Sequence, residues 1–307
     1  MSETDQVPVP EGIVVPLHTP FDAQGNINHD GVQAEVRRAE SLGLEWLLIG
    51  GVTGEWPSLE LEERQELLES ACVARNGARI LAHAMALAPK QTAALLDHAR
   101  AVGADAVMIS APIVSAVSDR DAVEHIRTTA GATELPVVIY NGAPGTRPLS
   151  PAAIAELSQV PNIAGIKDSA RNPRAFAEAR ALAPSLRLLC GEGDLLPAWL
   201  ALGADGGIVI PALVDGARTL ALYDAHRRGD VDEARSLWKA LWPLITALGE
   251  GDRFLAMTKL AVAAQGRPAG PCRPPLPGAV DPAARRTLEQ LLARMALVPD
   301  EVTAAIS

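Results

Sequence analysis

The stretch from residue 162 to residue 169 places a lysine at the end of an apolar run. The residues before Lys167 predict a buried strand, and burying an ammonium group without a partner is costly. Lys167 must therefore either extend to solvent or lie in a protected cavity. In a cavity, a desolvated amine loses its proton more readily and can form a Schiff base with a carbonyl compound. The other lysines, Lys90, Lys239 and Lys259, lie in helical patterns and are expected to face solvent.

Tyr140 is one of only two tyrosines and ends a second predicted strand, residues 136–140. The carboxyl ends of parallel barrel strands lie on one face of the barrel, so this tyrosine is expected on the same face as Lys167. A phenol close to an amine can carry protons to and from a carbinolamine hydroxyl. The alternative is a rim tyrosine that hydrogen-bonds only to the backbone.

A glycine-rich turn, residues 50–55, follows the predicted strand 46–49. The backbone N–H groups of such a turn can bind an anion, and the hydroxyl of Thr53 adds a donor. A carboxylate fits better than a phosphate, because the lysine of a phosphate-binding loop is missing. The alternative is a purely structural turn. We expect Glu55 to hold the loop in place rather than to act as an acid or base.

The remaining reactive side chains do not predict a metal or a cofactor. The six histidines lack metal-ligand spacing, and no cluster with Asp or Glu suggests a divalent cation. His18 and His83 end predicted strands, so each either touches a substrate or only forms a pocket wall. Cys190 is expected to be a small buried hydrophobe. The three scattered cysteines fit a reducing, cytoplasmic compartment better than a disulfide framework.

Short apolar runs alternate with helical patterns along most of the chain, and continuous apolar runs are typical of parallel strands buried on both faces. Near-identical Gly-Ala-Asp turns at 103–105 and 203–205 indicate equivalent units. The pattern predicts an α/β fold, a (β/α)8 TIM barrel with a C-terminal helical extension. We expect a mobile N-terminus at 1–11, the barrel at 12–228 and the helical segment at 229–307. The predicted strands are residues 12–17, 46–49, 79–84, 106–110, 136–140, 163–167, 186–190 and 207–210.

Charge and hydropathy exclude two classes of partner. The net charge of −10, with no basic run to offset it, argues against nucleic acid. A membrane span is not expected, because no apolar stretch of about 18 residues is free of helix breakers.

At this point the sequence resembles the dihydrodipicolinate synthase / N-acetylneuraminate lyase family of pyruvate-dependent class I aldolases. The matching motifs follow the family's order along nearly the whole chain, at residues 19–21, 51–55, 58–64, 140–141, 165–168, 203–206 and 270–276. The resemblance implies a barrel that forms a homotetramer (a dimer of dimers). It also implies a Schiff base between Lys167 and a 2-oxo acid, with Tyr140 as proton shuttle. The implied substrate-binding residues are Gly51, Val52, Thr53, Val114, Glu192 and Ile208.

Two departures from the synthase branch of this family concern proton transfer. That branch usually has two hydroxyl residues in the loop, and the first is here Val52. It also has a tyrosine after the fourth strand, where this chain reads Pro112-Ile113-Val114. The hydroxyl relay between subunits is therefore expected to be absent. The stretch 191–197 is more similar to branches that act on 4-hydroxy-2-oxoglutarate or 2-oxo-3-deoxy sugar acids.

These patterns lead to one hypothesis and three alternatives. The hypothesis is a cofactor-free lyase that cleaves or forms a C–C bond next to pyruvate, with an aldehyde as second partner. The first alternative is a dehydratase of 2-oxo-3-deoxy sugar acids, which would use the same imine. The others are a dihydrodipicolinate synthase and a non-catalytic barrel that binds a 2-oxo acid.

Overall fold

The computed structural model describes residues 9–113, 117–249 and 253–299. Eight parallel strands follow one another in sequence order around a closed barrel, which confirms the predicted (β/α)8 fold. The strands are β1 (Gly12–Pro16), β2 (Trp46–Ile49), β3 (Arg79–His83), β4 (Ala106–Ser110), β5 (Val137–Asn141), β6 (Ile163–Asp168), β7 (Arg187–Cys190) and β8 (Gly206–Ile208). Each lies within a few residues of its predicted position.

Helices separate the strands, and most begin at a residue whose side chain accepts a backbone N–H of the first turn. Asn28, Ser118, Ser150, Asn172, Asp215, Asp230 and Asp281 all cap in this way. The helices in the described ranges are α1 (His29–Ser41), α2 (Leu61–Ala74), α3 (Pro89–Ala101), α4 (Asp119–Ala130), α5 (Pro151–Leu157), α6 (Pro173–Leu182), α7 (Leu196–Ala201), α8 (Pro211–Val214), α9 (Gly216–Arg227), α10 (Val231–Leu248), α11 (Phe254–Ala264) and α12 (Pro282–Arg294).

The two Gly-Ala-Asp turns form equivalent hydrogen bonds to the preceding strand. The carboxylate of Asp105 accepts the backbone N–H of Ile80 at 2.8 Å, and that of Asp205 accepts the N–H of Leu188 at 2.8 Å. In both cases the acidic residue that opens one strand fixes the start of the preceding strand. The repeated sequence thus marks equivalent βα units, as predicted.

Two compact units share the chain. The first comprises the chain up to Val14 together with Arg79–Ile208, and the second comprises Val15–Ala78 with the chain from Val209 onwards. In the second unit, α10, α11 and α12 enclose their own apolar core, which includes Leu244, Leu260 and Leu292. The boundaries expected from the sequence, at residues 11 and 228, remain predictions. Among the helices described, none combines the length and apolar character that a bilayer crossing requires.

Candidate active site

The first unit brings Lys167 and Tyr140 side by side. They are register partners on the neighbouring strands β5 and β6, and both residues are buried, each 7% exposed. The Nζ atom of Lys167 lies over the ring of Tyr140, 4.0 Å from the ring centroid. The amine therefore lies in a protected place against an aromatic face and does not extend to solvent.

The residues that follow these two point the other way, since side chains alternate along a strand. Asn141 donates from Nδ2 to the carboxylate of Asp168 at 2.7 Å and accepts the N–H of Leu149 at 2.8 Å. The indole of Trp199 donates to Asp168 at 3.3 Å. Burial raises the pKa of Asp168, and the two side-chain hydrogen bonds oppose that rise. This network holds the ends of β5 and β6 in register and so fixes Tyr140 relative to Lys167.

Two glycines let the loops after β5, β6 and β7 approach one another closely. Gly142 has φ +76°, and a Cβ there would lie 2.7 Å from the backbone nitrogen of Ala170. A Cβ at Gly191 would lie 2.1 Å from the Oγ atom of Ser169 and 3.1 Å from the Cε atom of Lys167. The space beside the lysine side chain thus depends on the absence of a side chain at Gly191.

Ser169 is a candidate that the sequence interpretation missed. Its Oγ atom is buried and has no hydrogen-bond partner among the described residues. A buried hydroxyl without a partner is costly, and this one borders the same space beside Gly191 as the Cε atom of Lys167. It is therefore a donor and acceptor available to a bound molecule. In the sequence, the only indication that Ser169 belongs to the site is its position two residues after Lys167.

The loops after β6 and β7 share a small charged cluster. Arg171, which has φ +54°, donates to Glu192 at 2.6 Å and to both carboxylate oxygens of Asp194 at 3.0 and 2.5 Å. The predicted residue Glu192 is thus held by an arginine that the sequence analysis did not single out. Cys190 is buried, and desolvation raises the pKa of its thiol to about 12. It remains a neutral thiol, as expected of a structural cysteine.

The second unit contains the glycine-rich turn. Thr19 donates from Oγ1 to the carbonyl of Gly54 at 2.6 Å, which fixes the turn, and Glu55 donates its N–H to the carbonyl of Val52 at 3.0 Å. Gly51 and Thr53 are buried. The N–H groups of Val52, Thr53 and Gly54 have no acceptor among the described residues. The turn therefore offers three consecutive donors, as an anion-binding loop does.

Glu55 holds this turn in place. Its fully buried carboxylate accepts from the ammonium of Lys259 and from the N–H of Arg273 at 2.9 Å. Lys259 also donates to the carbonyl of Pro271 at 2.9 Å. The expectation that Lys259 faces solvent is therefore wrong, because α11 is apolar on every side and is buried around it. Lys90 and Lys239 are exposed, as expected.

The two strand-end histidines are both buried. In the second unit, the Nε2 atom of His18 lies 2.8 Å from the carbonyl of Pro268, and Nδ1 lies 3.9 Å from Glu35. Burial lowers the pKa of His18 to about 4, so the ring is neutral. In the first unit, His83 ends β3.

Of the other predicted residues, Ile208 ends β8 and is buried, whereas Val114 lies outside the described residues. No group of three His, Cys, Asp or Glu side chains in the described ranges is arranged to hold a metal ion.

Comparison with known proteins gives a consistent result. Residues 9–295 match the dihydrodipicolinate synthetase family. A DapA-like lyase of Halobacterium salinarum is 32% identical over 290 residues, which are 94% of each chain. The 4-hydroxy-tetrahydrodipicolinate synthase of Acidothermus cellulolyticus is 30% identical over 290 residues, which are 93% of each chain.

Solved structures agree with the sequence relatives. A dihydrodipicolinate synthase superimposes with a TM-score of 0.89 at 26% identity, covering 94% of this chain and 100% of that one. The Escherichia coli K12 prophage protein YagE, solved in complex with pyruvate, has a TM-score of 0.87 at 27% identity, with 94% and 99% covered. The chain therefore belongs to the dihydrodipicolinate synthetase family and is an enzyme of the lyase class.

Proposed function

We propose that the protein is a pyruvate-dependent class I lyase that cleaves or forms a C–C bond of a 2-oxo acid through a Schiff base on Lys167. The observation that carries the proposal is the buried Nζ atom of Lys167, 4.0 Å from the ring centroid of its register partner Tyr140. A 2-oxo acid bound as an imine at Nζ would have its reacting carbons beside this phenol. The pyruvate complex of YagE adds support from a relative.

In the proposed reaction, the Lys167 amine adds to the C2 carbonyl of the substrate to give a carbinolamine, which loses water to form an iminium ion. Tyr140 gives its phenol proton to the departing hydroxyl of the carbinolamine and, as the phenolate, takes the proton of the 4-hydroxyl as the C3–C4 bond breaks. The bonding pair moves into the iminium to give an enamine, and an aldehyde leaves. Protonation at C3 and hydrolysis release pyruvate and regenerate the amine. The covalent intermediate replaces an unstabilised carbanion by an enamine, which lowers the barrier.

The carboxylate of the 2-oxo acid is proposed to bind the turn Gly51-Val52-Thr53. The support lies within the turn itself, in three consecutive N–H groups that lack an acceptor among the described residues, next to the Thr53 hydroxyl. Val52 provides no hydroxyl for a relay, so the proposal assigns proton transfer to Tyr140 and to the substrate's own groups.

The loop after β7 favours one substrate type over the other. Glu192 and Asp194 share the single guanidinium of Arg171, so this cluster carries one uncompensated negative charge. A second carboxylate, as in 4-hydroxy-2-oxoglutarate, would be repelled, whereas hydroxyl groups could donate to these oxygens. We therefore infer that a 2-oxo-3-deoxy sugar acid is the better substrate.

The first test is borohydride reduction in the presence of pyruvate, followed by peptide mass spectrometry. The expected result is one pyruvate adduct, on the peptide that contains Lys167. The adduct should disappear in Lys167→Ala and persist in Lys239→Ala, which removes an exposed lysine. An unmodified Lys167 in the wild-type protein would refute the imine.

Product analysis separates the lyase from the dehydratase. Incubation with 2-oxo-3-deoxy sugar acids should release pyruvate and an aldehyde, whereas a dehydratase would yield a single longer oxo acid. Pyruvate trapping without any turnover would instead support a binding barrel. Aspartate semialdehyde consumption with pyruvate would support a dihydrodipicolinate synthase.

A homotetramer and a cytoplasmic location are also part of the proposal. Support for the location comes from the three cysteines, Cys72, Cys190 and Cys272, which are all free of disulfides. Light scattering coupled to size-exclusion chromatography tests the assembly, for which four chains of 32.2 kDa are expected.

A further inference from the structure

A cleft in the second unit is lined by residues that take no part in the proposed reaction. Its volume is about 290 Å³, and its lining includes Arg38 from α1 and Gln265 and Arg267 from the turn after α11. The turn after α12 supplies an apolar wall, formed by Leu297, Val298 and Pro299. The cleft thus joins two guanidinium groups to an apolar surface.

The charge of Arg267 is already balanced. It donates from Nε to Glu35 at 3.0 Å and from Nη2 to the other oxygen of that carboxylate. Its Nη1 atom donates to the carbonyl of Leu213 at 2.9 Å and to the side-chain oxygen of Gln265 at 2.5 Å. Four of the five guanidinium N–H groups are used, so one on Nη2 remains.

The guanidinium of Arg38 differs, because no described residue accepts a hydrogen bond from it or forms an ion pair with it. The two carboxylates that raise its pKa form ion pairs with other residues, since Glu35 binds Arg267 and Asp215 binds Arg218. Burial and the charge of Arg267 both lower the pKa of Arg38. One partly buried positive charge in the cleft is therefore left without a counter-ion.

We propose that this cleft binds an organic monocarboxylate, with the carboxylate on Arg38 and the remaining Nη2 hydrogen of Arg267 and an apolar body against Leu297 and Val298. A single uncompensated charge matches a monoanion, and a planar guanidinium suits a carboxylate in a bidentate pair. The apolar wall offers no hydrogen-bond donor that could replace the hydration shell of an ion such as phosphate. An amino acid is disfavoured, because its ammonium group would lie close to two guanidinium groups.

The test measures binding of isobutyrate and benzoate to the full chain by calorimetry. Saturable binding is expected, with affinity weakened about tenfold or more in Arg38→Gln, since a charge-assisted pair is lost. Arg37→Gln is the matched control, because it removes the same charge from an exposed neighbour on α1. Its affinity should equal that of the wild type. The uncharged isobutyramide should not bind.

Any one of the following results would overturn the proposal. They are the absence of saturable carboxylate binding, equal affinities in Arg38→Gln and the wild type, and phosphate binding as tightly as isobutyrate. Loss of isobutyrate binding in protein whose Lys167 already carries the borohydride-reduced pyruvate adduct would place the bound carboxylate at the lysine site and would also overturn it. Thermal unfolding midpoints of Arg38→Gln and Arg37→Gln without ligand establish that both variants are folded.

Discussion

Breaking the buried pair between Glu55 and Lys259 should destabilise the protein strongly. The Glu55 side chain is 0% exposed and that of Lys259 is 4% exposed. Lys259→Met keeps a side chain of similar length over the ring of Phe21 but leaves the carboxylate with only the N–H of Arg273. Removing one partner of such a pair costs about 3–5 kcal/mol. Glu55→Gln should cost a similar amount, because it leaves the ammonium buried without a countercharge.

The double variant tests whether the two charges act as a pair. Glu55→Gln with Lys259→Met should cost about as much as either single change, so that the coupling free energy is about 3–5 kcal/mol. Urea unfolding measures all four free energies. Arg235→Met is the control, because its ion pair with Asp232 is exposed and should be worth less than about 1 kcal/mol. Additive single costs, or single costs below about 1 kcal/mol, would refute the reasoning.

Three further predictions concern the site and the pH dependence. Tyr140→Phe should keep the borohydride-trapped pyruvate adduct on Lys167 but lower kcat by about 10²–10⁴-fold, which single-turnover kinetics measure. Gly191→Ala should sharply reduce adduct formation, because its Cβ would lie 2.1 Å from Ser169 Oγ, 2.9 Å from the carbonyl oxygen of Asp168 and 3.1 Å from Lys167 Cε, whereas Gly77→Ala, with no atom within 4 Å, should not. The pKa of His18 falls on folding from 6.5 to about 4, chiefly through burial, so the unfolded chain binds a proton that the folded chain excludes. The free energy of unfolding should therefore decrease by up to about 3 kcal/mol as the pH falls from 6.5 to 4. Denaturation midpoints across that range should decline less steeply in His18→Gln.

The barrel and the central pair of the site could be predicted from the sequence. Continuous apolar runs identify strands buried on both faces, and Tyr140 and Lys167 both stand at the ends of such runs. In a parallel sheet, residues at the ends of neighbouring strands become neighbours without any further information. The equivalence of the turns at Asp105 and Asp205 could also be predicted from the sequence. Both turns form the same local hydrogen bond and therefore share the same short motif.

Contacts between distant loops could not be predicted in this way. The pairing of Arg171 with Asp194 depends on where two loops cross, and no periodicity records it. The position of Lys259 differs from the expectation because a lysine within a helix does not by itself indicate a solvent-exposed face. The apolar composition around it from Phe254 to Ala264 was the better signal, since a helix that is apolar on all sides is buried.

The two units differ in whether they are formed by a continuous or a divided segment of the chain. The first is drawn almost entirely from one continuous span, Arg79–Ile208, whereas the second needs segments from both sides of that span. During synthesis on the ribosome, the continuous part can therefore gather its contacts while the C-terminal third is still being translated. The segment Val15–Ala78 cannot complete its unit until the chain from Val209 onwards has been synthesised. Glu55, for example, can pair with the ammonium group of Lys259 only after a further 204 residues have been added. A nascent chain thus carries an unmatched carboxylate for most of its elongation, and contacts of such long sequence separation are slow to form.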